Sequence, residues 1–247
     1  MNVIVVPGYE QMSLHAAEAV AAEIRARRRT VLGLPTGNTP KGMYRELVRM
    51  HQAAELDFSG VVTFNLDEYW GLSPDHPMSF AYYIRTHLLE HVNIPPDQVH
   101  WPPSQGDPDA ACRAYEEQIL AAGGLDLVVL GIGSNGHIGF NEPGTPFNSQ
   151  THVVRLAEET RLANWRGYGF PDLDAVPKFG ISMGIATIMS ARRVLLLASG
   201  REKAAAVART VAGPVTEEVP ASILQRHPDA TIIVDEEAAF ALASREA

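Results

Sequence analysis

Six short aliphatic runs, at residues 3–6, 31–34, 61–66, 125–130, 194–198 and 231–234, alternate with longer stretches of helical periodicity. The helical stretches cover 12–28, 39–51, 80–90, 109–122 and 201–212. Strands separated by helices must cross over the sheet to pair, which predicts βαβ units and parallel pairing. The runs lack a strict apolar–polar alternation, as expected of strands buried on both faces. The predicted fold class is therefore α/β: a single domain with a doubly wound, mostly parallel, Rossmann-like sheet covered by helices on both faces. At 247 residues the chain suffices for one such domain, and no repeat, low-complexity tract or long linker divides it. Residues 151–180 are the least regular, being interrupted by Gly167, Gly169, Pro171 and Pro177. A mobile lid and a plain surface excursion are both open readings of that segment.

Composition narrows the partners. A formal net charge of −9 disfavours nucleic acid or an anionic membrane as the main partner. A local Lys or Arg can still hold a small anionic substrate. The single Cys112 excludes an intramolecular disulfide and a thiolate zinc site, which fits a reducing compartment. The start of the chain reads as a first strand rather than a signal peptide, and no run approaches the roughly 18 apolar residues of a membrane span. The expectation is a soluble, cytoplasmic protein.

Polar motifs follow the carboxyl ends of four predicted strands, at residues 35–40, 67–69, 133–142 and 199–203. In open parallel sheets the ligand crevice lies outside those ends, so these distant segments should meet at one site. In the first motif, Pro35, Thr36, Gly37, Asn38 and Thr39 precede a helix expected to start with Thr39 as N-cap and Pro40 at the first helical position. Its exposed N–H groups form a natural phosphate seat, although a capped turn without ligand reads equally well. In the second motif, Asp67 and Glu68 are adjacent on an extended chain and should point to opposite sides. One carboxylate there can be a general base, or it can cap a helix or pair with an arginine. At the last motif, Lys203 can clamp an anion beside Ser199, and Arg161 and Arg166 can do so from residues 151–180 on closure.

The third motif, Gly131-Ile-Gly-Ser-Asn-Gly-His-Ile-Gly-Phe-Asn-Glu-Pro-Gly144, presents Asn135, His137, Asn141 and Glu142 on a glycine-rich turn. Such a loop permits close ligand approach, and a histidine beside a carboxylate can move protons near neutral pH. It contains the G-x-G-x-x-G spacing of a dinucleotide site, but Pro143 follows where a helix should open. His137 and Glu142 alone are poor evidence for a metal site. His15, His51, His87 and His91 fall in predicted helices and read as ordinary surface or interhelical residues.

Five ordered segments closely resemble the glucosamine-6-phosphate deaminases of the glucosamine/galactosamine-6-phosphate isomerase family, over nearly the whole chain. They are Leu32-Gly-Leu-Pro-Thr-Gly-Asn-Thr-Pro40, Phe64-Asn-Leu-Asp-Glu-Tyr69, Gly136-His-Ile-Gly-Phe-Asn-Glu-Pro143, Thr160-Arg-Leu-Ala-Asn164 and Val176-Pro-Lys-Phe179. The related 6-phosphogluconolactonases share the fold type but are not expected to carry the Asn-Glu-Pro or Asn-x-Asp-Glu-Tyr segments. The resemblance implies conversion of glucosamine 6-phosphate and water to fructose 6-phosphate and ammonia in amino-sugar catabolism, with no metal or organic cofactor. It implies that Asp67 carries the C2 proton to C1, that His137 relays the ring-opening proton, and that Glu142 orients His137. Asn135 stands where some members have Asp; an amide cannot act as a base, so it orients His137 or substrate. Substrate binding falls to Pro35, Thr36, Gly37, Asn38, Thr39, Gly136, Arg166 and Lys203.

Regulated members of the family carry Arg and Lys where this chain has His152 and Val154, and a longer tail follows. The resemblance thus implies an unregulated monomer or low-order homo-oligomer, with a sugar phosphate as its partner and no nucleic acid or membrane. Two rival readings remain: the galactosamine 6-phosphate epimer as substrate, and a catalytically silent sugar-phosphate sensor.

Overall fold

The computed structural model describes residues 1–243. Along the chain run β1 (Asn2–Val6), α1 (Tyr9–Ala26), β2 (Thr30–Leu34), α2 (Lys41–Gln52), β3 (Val61–Asn65), β4 (Asp67–Tyr69), α3 (Phe80–His87), β5 (Val99–His100) and α4 (Pro108–Ala121). They are followed by β6 (Leu127–Leu130), β7 (His152–Arg155), α5 (Glu158–Tyr168), β8 (Phe179–Ser182), α6 (Ile185–Met189), β9 (Arg193–Ala198), α7 (Ala204–Ala212), β10 (Ala230–Asp235) and α8 (Glu236–Ala243). Seven strands pair in the order β1-β10-β9-β6-β2-β3-β5, every pairing parallel. The predicted doubly wound α/β domain is what forms.

Strand side chains alternate between two cores, which explains the absence of an alternating pattern in the sequence. Val128 and Leu130 of β6, with Val194 and Leu196 of β9, pack with Tyr115 and Ile119 of α4, Val207 of α7 and Ala238 of α8. Leu127 and Val129, with Leu195 and Leu197, face the other way onto α1, α2 and α3 through Met12, Val20, Met43, Leu47 and Ile84. Both faces of the strands are dry, so both registers must be apolar.

Four strands were not expected from sequence. β5 is two residues long at the sheet edge. The other three form a small antiparallel sheet, β4-β8-β7, whose apolar side gathers Tyr69, Phe80, Phe140, Leu156, Phe170 and Val176. The predicted run 61–66 therefore breaks at Leu66. β3 stays in the main sheet, and Asp67 opens a new pairing with Ser182 across β8. Residues 151–180, read as irregular, contain β7, α5 and the start of β8.

One local expectation is corrected. Thr39 does not cap α2: the helix starts at Lys41, and Pro40 occupies the cap position at φ −80° with no side-chain cap. The first helical bonds run instead from Lys41 N–H to the Asn38 carbonyl and from Tyr44 N–H to the Pro40 carbonyl.

Candidate active site

A cavity of about 290 Å³ opens over the carboxyl ends of β2 and β6. These neighbours in the sheet are where the chain changes direction: from β2 it proceeds to β3 and β5, and from β6 it proceeds to β9 and β10 on the other side. Loops leaving two such strands diverge, and the gap between them is the natural ligand crevice. Residues 35–39 follow β2, residues 131–135 with His137 and Gly139 follow β6, and Leu66, Asp67, Glu202 and Lys203 add to the strand-end lining.

Asp67 and Glu68 separate as their extended backbone requires. Asp67 lines the cavity, with Oδ2 beside Gly139. Glu68 turns inward and caps the start of α3, accepting from the N–H groups of Tyr69 (2.8 Å), Phe80 (3.0 Å) and Ala81 (2.9 Å). Burial, and secondarily the nearby Glu68 charge, pushes the Asp67 carboxyl up to about 8. Burial also raises Glu68, to about 6, because its three N–H donors offset only part of the desolvation. The cavity thus holds a carboxyl group whose proton affinity lies near neutral pH, the range suited to taking a proton and returning it.

His137 faces Asp67's cavity from the other main loop. Its ring lies against the backbone of Gly133, where an added Cβ would sit 2.2–2.6 Å from ring atoms, so only glycine fits. The loop is held by hydrogen bonds from Gly133 N–H to the His137 carbonyl (3.0 Å) and from His137 N–H to Asn135 Oδ1 (3.1 Å). The Asn135 amide donates to Glu142 Oε2 (3.0 Å), and His137 Nδ1 stands 3.6 Å from that same oxygen. Thr160 of α5 donates to the other oxygen, Glu142 Oε1, at 2.5 Å. Burial favours the neutral acid, but His137, Thr160 and Asn135 together outweigh it and hold the Glu142 carboxyl below its usual range. The ring is set by its packing on Gly133, and the anchored carboxylate 3.6 Å from Nδ1, an atom with no hydrogen-bond partner of its own, is placed to receive the ring N–H when a proton is on the move.

The loop 35–39 is braced from behind by three tyrosine hydroxyls. Tyr44 donates to the Pro35 carbonyl (2.6 Å), Tyr83 to Gly37 (2.6 Å) and Tyr9 to Asn38 (3.1 Å). In a trans peptide the N–H points opposite to its carbonyl, so the N–H groups of Thr36, Asn38 and Thr39 face away from the tyrosines. With the amino end of α2 immediately following, this loop suits an anion. Lys203 is the one lysine or arginine lining the cavity among the described residues. Burial lowers its pKa, partly countered by Glu202 and Glu159.

Two expected substrate-binding residues, Arg166 and Gly136, stand outside the lining, and so does Ser199. Arg166 is exposed and does not line the cavity. The α5 stripe that does comprises Glu159, Thr160, Ala163, Asn164 and Gly167, and Arg166 falls beside it. Gly136 is also outside the lining: at φ +95° it is buried behind the loop, where an added Cβ would meet Val219 Cγ1 at 2.8 Å. Glu142 does not touch the cavity but reaches it through His137 and Asn135. Ser199 bonds Asp235 at 2.5 Å and is not part of an anion clamp with Lys203. Arg161 points back to the carbonyls of Leu173 and Val176.

The α5 residues were missed because their contribution depends on where that helix packs. The only sequence signal for them was the Thr160-Arg-Leu-Ala-Asn164 segment itself. Among the described residues no group of three His, Cys, Asp or Glu has metal-binding geometry, and no helix is long and apolar enough to cross a membrane.

Comparison with known proteins extends this picture. A family model described as glucosamine-6-phosphate isomerases/6-phosphogluconolactonase matches residues 9–233. The glucosamine-6-phosphate deaminase of Halothermothrix orenii is 51% identical over 98% of this chain and 100% of its own. Glucosamine-6-phosphate deaminase 2 of Bacillus subtilis is 50% identical over 99% of this chain and 98% of its own. A solved structure of a monomeric glucosamine-6-phosphate deaminase superposes with a TM-score of 0.95 at 47% identity, covering 98% of this chain and 100% of that one. The 6-phosphogluconolactonase of Trypanosoma cruzi superposes less closely, with a TM-score of 0.73 at 26% identity, covering 98% of this chain and 96% of that one.

Proposed function

The chain belongs to the glucosamine-6-phosphate isomerase/6-phosphogluconolactonase family, and from that premise we infer that it is a glucosamine-6-phosphate deaminase. It converts glucosamine 6-phosphate and water into fructose 6-phosphate and ammonia. Full-length identity of about half to deaminases, against a quarter to the lactonase, selects this branch of the family. The observation that carries the mechanism is the cavity shared by Asp67, His137 and Asn135, with Glu142 behind them and an anion seat and Lys203 on its wall.

In the proposed sequence of steps, His137 takes the proton of the anomeric hydroxyl and delivers it to the ring oxygen, opening the sugar to its aldehyde. Glu142 stabilises the charged ring between these transfers. Asp67, ionised, then removes the C2 proton. The C2–H electron pair forms the C1–C2 double bond and the aldehyde oxygen takes a proton from the substrate's own C2 ammonium group, giving a neutral enolamine. Asp67 returns its proton to C1, leaving a C2 iminium. Water adds to C2, ammonia departs, and the C2 ketone remains. One carboxylate alongside two neighbouring carbons serves both transfers, and its raised proton affinity suits a group that must both accept and release. Residues 35–39 and Lys203 hold the 6-phosphate, whose remote binding energy fixes the reacting carbons.

Residues 151–180 act as a lid in this reading. The support is that α5 closes one wall of the cavity while the segment packs on the small sheet through Leu156, Phe170 and Val176. A phosphorylated sugar does not cross a bilayer unaided, which supports a cytoplasmic site of action. The similar monomeric structure supports low oligomeric order, and the net charge of −9 supports a partner set without nucleic acid.

The test is direct. Purified protein given glucosamine 6-phosphate should release ammonia and fructose 6-phosphate in equal amounts. Absence of both products, with hydrolysis of 6-phosphogluconolactone instead, would overturn the assignment. Parallel kcat/KM values for galactosamine 6-phosphate settle the epimer.

A further inference from the structure

A threonine in the first turn of a helix ordinarily bonds its own helix or caps it. Thr160 does neither. It is buried, 4% exposed, and its hydroxyl leaves α5 to donate to Glu142 Oε1, 18 residues earlier in the chain. The remaining oxygen of Glu142 takes the Asn135 amide and faces His137 Nδ1. Thr160 and Asn135 thus grip the carboxylate from two directions, and only the grip from Thr160 comes from the 151–180 segment.

α5 does not hold this position alone. Arg161, the next residue, donates to the carbonyls of Leu173 (2.6 Å) and Val176 (3.1 Å), tying the helix to the segment that follows it. One turn further along α5, Asn164 also lines the cavity, with its amide nitrogen buried and without a hydrogen-bond partner. The helix therefore carries one polar group already engaged with the proton-relay set and a second, on the cavity wall, whose amide nitrogen has no hydrogen-bond partner.

We propose that Thr160 is a positioning residue: from α5 it fixes the Glu142 carboxylate and, through it, the His137 ring, so that the proton relay is complete only while α5 is docked. The proposal rests on the deaminase reading and on the lid. Docking of the helix then does two things at once, closing the cavity with Asn164 and aligning His137 through Glu142. A carboxylate held by Asn135 alone could tilt about that one bond and carry its oxygen away from the imidazole during ring opening.

The experiment compares Thr160→Val, which keeps the shape and removes the hydroxyl, with Thr160→Ser, which restores it. Thr160→Ala serves as the second truncation should valine not be tolerated, and thermal melts confirm that each variant folds. The truncation is expected to lower kcat by about 10-fold or more, the usual scale for a lost hydrogen bond to a charged group. KM for glucosamine 6-phosphate stays within about threefold, and serine returns most of the lost kcat. The ¹⁵N resonances of the His137 ring, recorded without substrate, shift in the truncation and return in the serine variant. A raised KM with unchanged kcat would make Thr160 part of substrate binding and overturn the proposal. So would a serine variant as impaired as valine, or unchanged ring resonances. Failure of the deaminase reading is distinguishable, because it appears as no ammonia release by the unmodified protein, while the ring resonances still report the coupling.

Discussion

Replacing Asp67 by Asn should abolish turnover and stabilise the protein, with the gain depending on pH. Asp67 is 7% exposed, and burial with Glu68 nearby raises its carboxyl from an ordinary 3.8 to about 8. Between those values the folded protein keeps a proton that the unfolded chain has released. Because stability changes with pH as the protons bound by the unfolded state minus those bound by the folded state, it must fall as pH rises from about 4 to about 8. At pH 7 the unfolded chain is favoured by roughly 3 pH units of ionisation at 1.36 kcal/mol each, an upper limit of about 4 kcal/mol. Water in the open cavity and local relaxation bring the expected gain for Asp67→Asn to about 2–4 kcal/mol, because the amide does not titrate. In a chain of this size that raises Tm by on the order of 5–10 °C. The assay is thermal unfolding of both proteins from pH 4 to pH 9: the curves should nearly meet at pH 4 and separate until about pH 8. Loss of the base should lower kcat by roughly 10²–10⁴-fold. In the unmodified enzyme the acid limb of kcat/KM should have its midpoint near 8. A Tm difference independent of pH would refute the desolvated carboxyl, and kcat within a few-fold of normal would remove Asp67 from the proton transfer.

Lys203→Ala should raise KM by about 10–100-fold with a smaller effect on kcat, the scale of a lost charge-assisted hydrogen bond to phosphate. A KM change under threefold would place the phosphate elsewhere. Gly136→Ala combines a φ of +95° with a contact of 2.8 Å to Val219, and should cost about 1–3 kcal/mol in urea unfolding. Adding Val219→Ala should relieve the contact and leave the backbone strain, so full recovery would show that φ is not restrictive there. Glu68→Gln keeps one acceptor for the start of α3 and removes the charge beside Asp67. It should destabilise by about 1–2 kcal/mol and move the acid limb of kcat/KM downward. An unmoved limb would mean that burial alone sets the Asp67 proton affinity.

Local pattern and connectivity determined a large part of this protein. The main-sheet strands β2, β3, β6, β9 and β10 were legible because burial on both faces demands aliphatic residues in nearly every register, and the edge strand β1 was legible from its β-branched run alone. The intervening helices were legible because periodicity is a property of neighbours in the chain. Strand-end motifs predicted a common crevice, since parallel topology places all carboxyl ends on one side, and the cavity lies there. Tertiary structure decided the rest. Residue chemistry alone did not separate Asp67 from Glu68, although the resemblance implied Asp67; the packing of α3, which takes Glu68 as the cap, is what leaves Asp67 in the cavity. The break at Leu66 depends on β4 meeting β8, whose register pairs Asp67 with Ser182 from a distant part of the chain. Short antiparallel strands of that kind have little local signature, because cross-strand neighbours supply their stability. The same limit hid Thr160: a buried hydroxyl shows its role only when the carboxylate it serves has been brought to it.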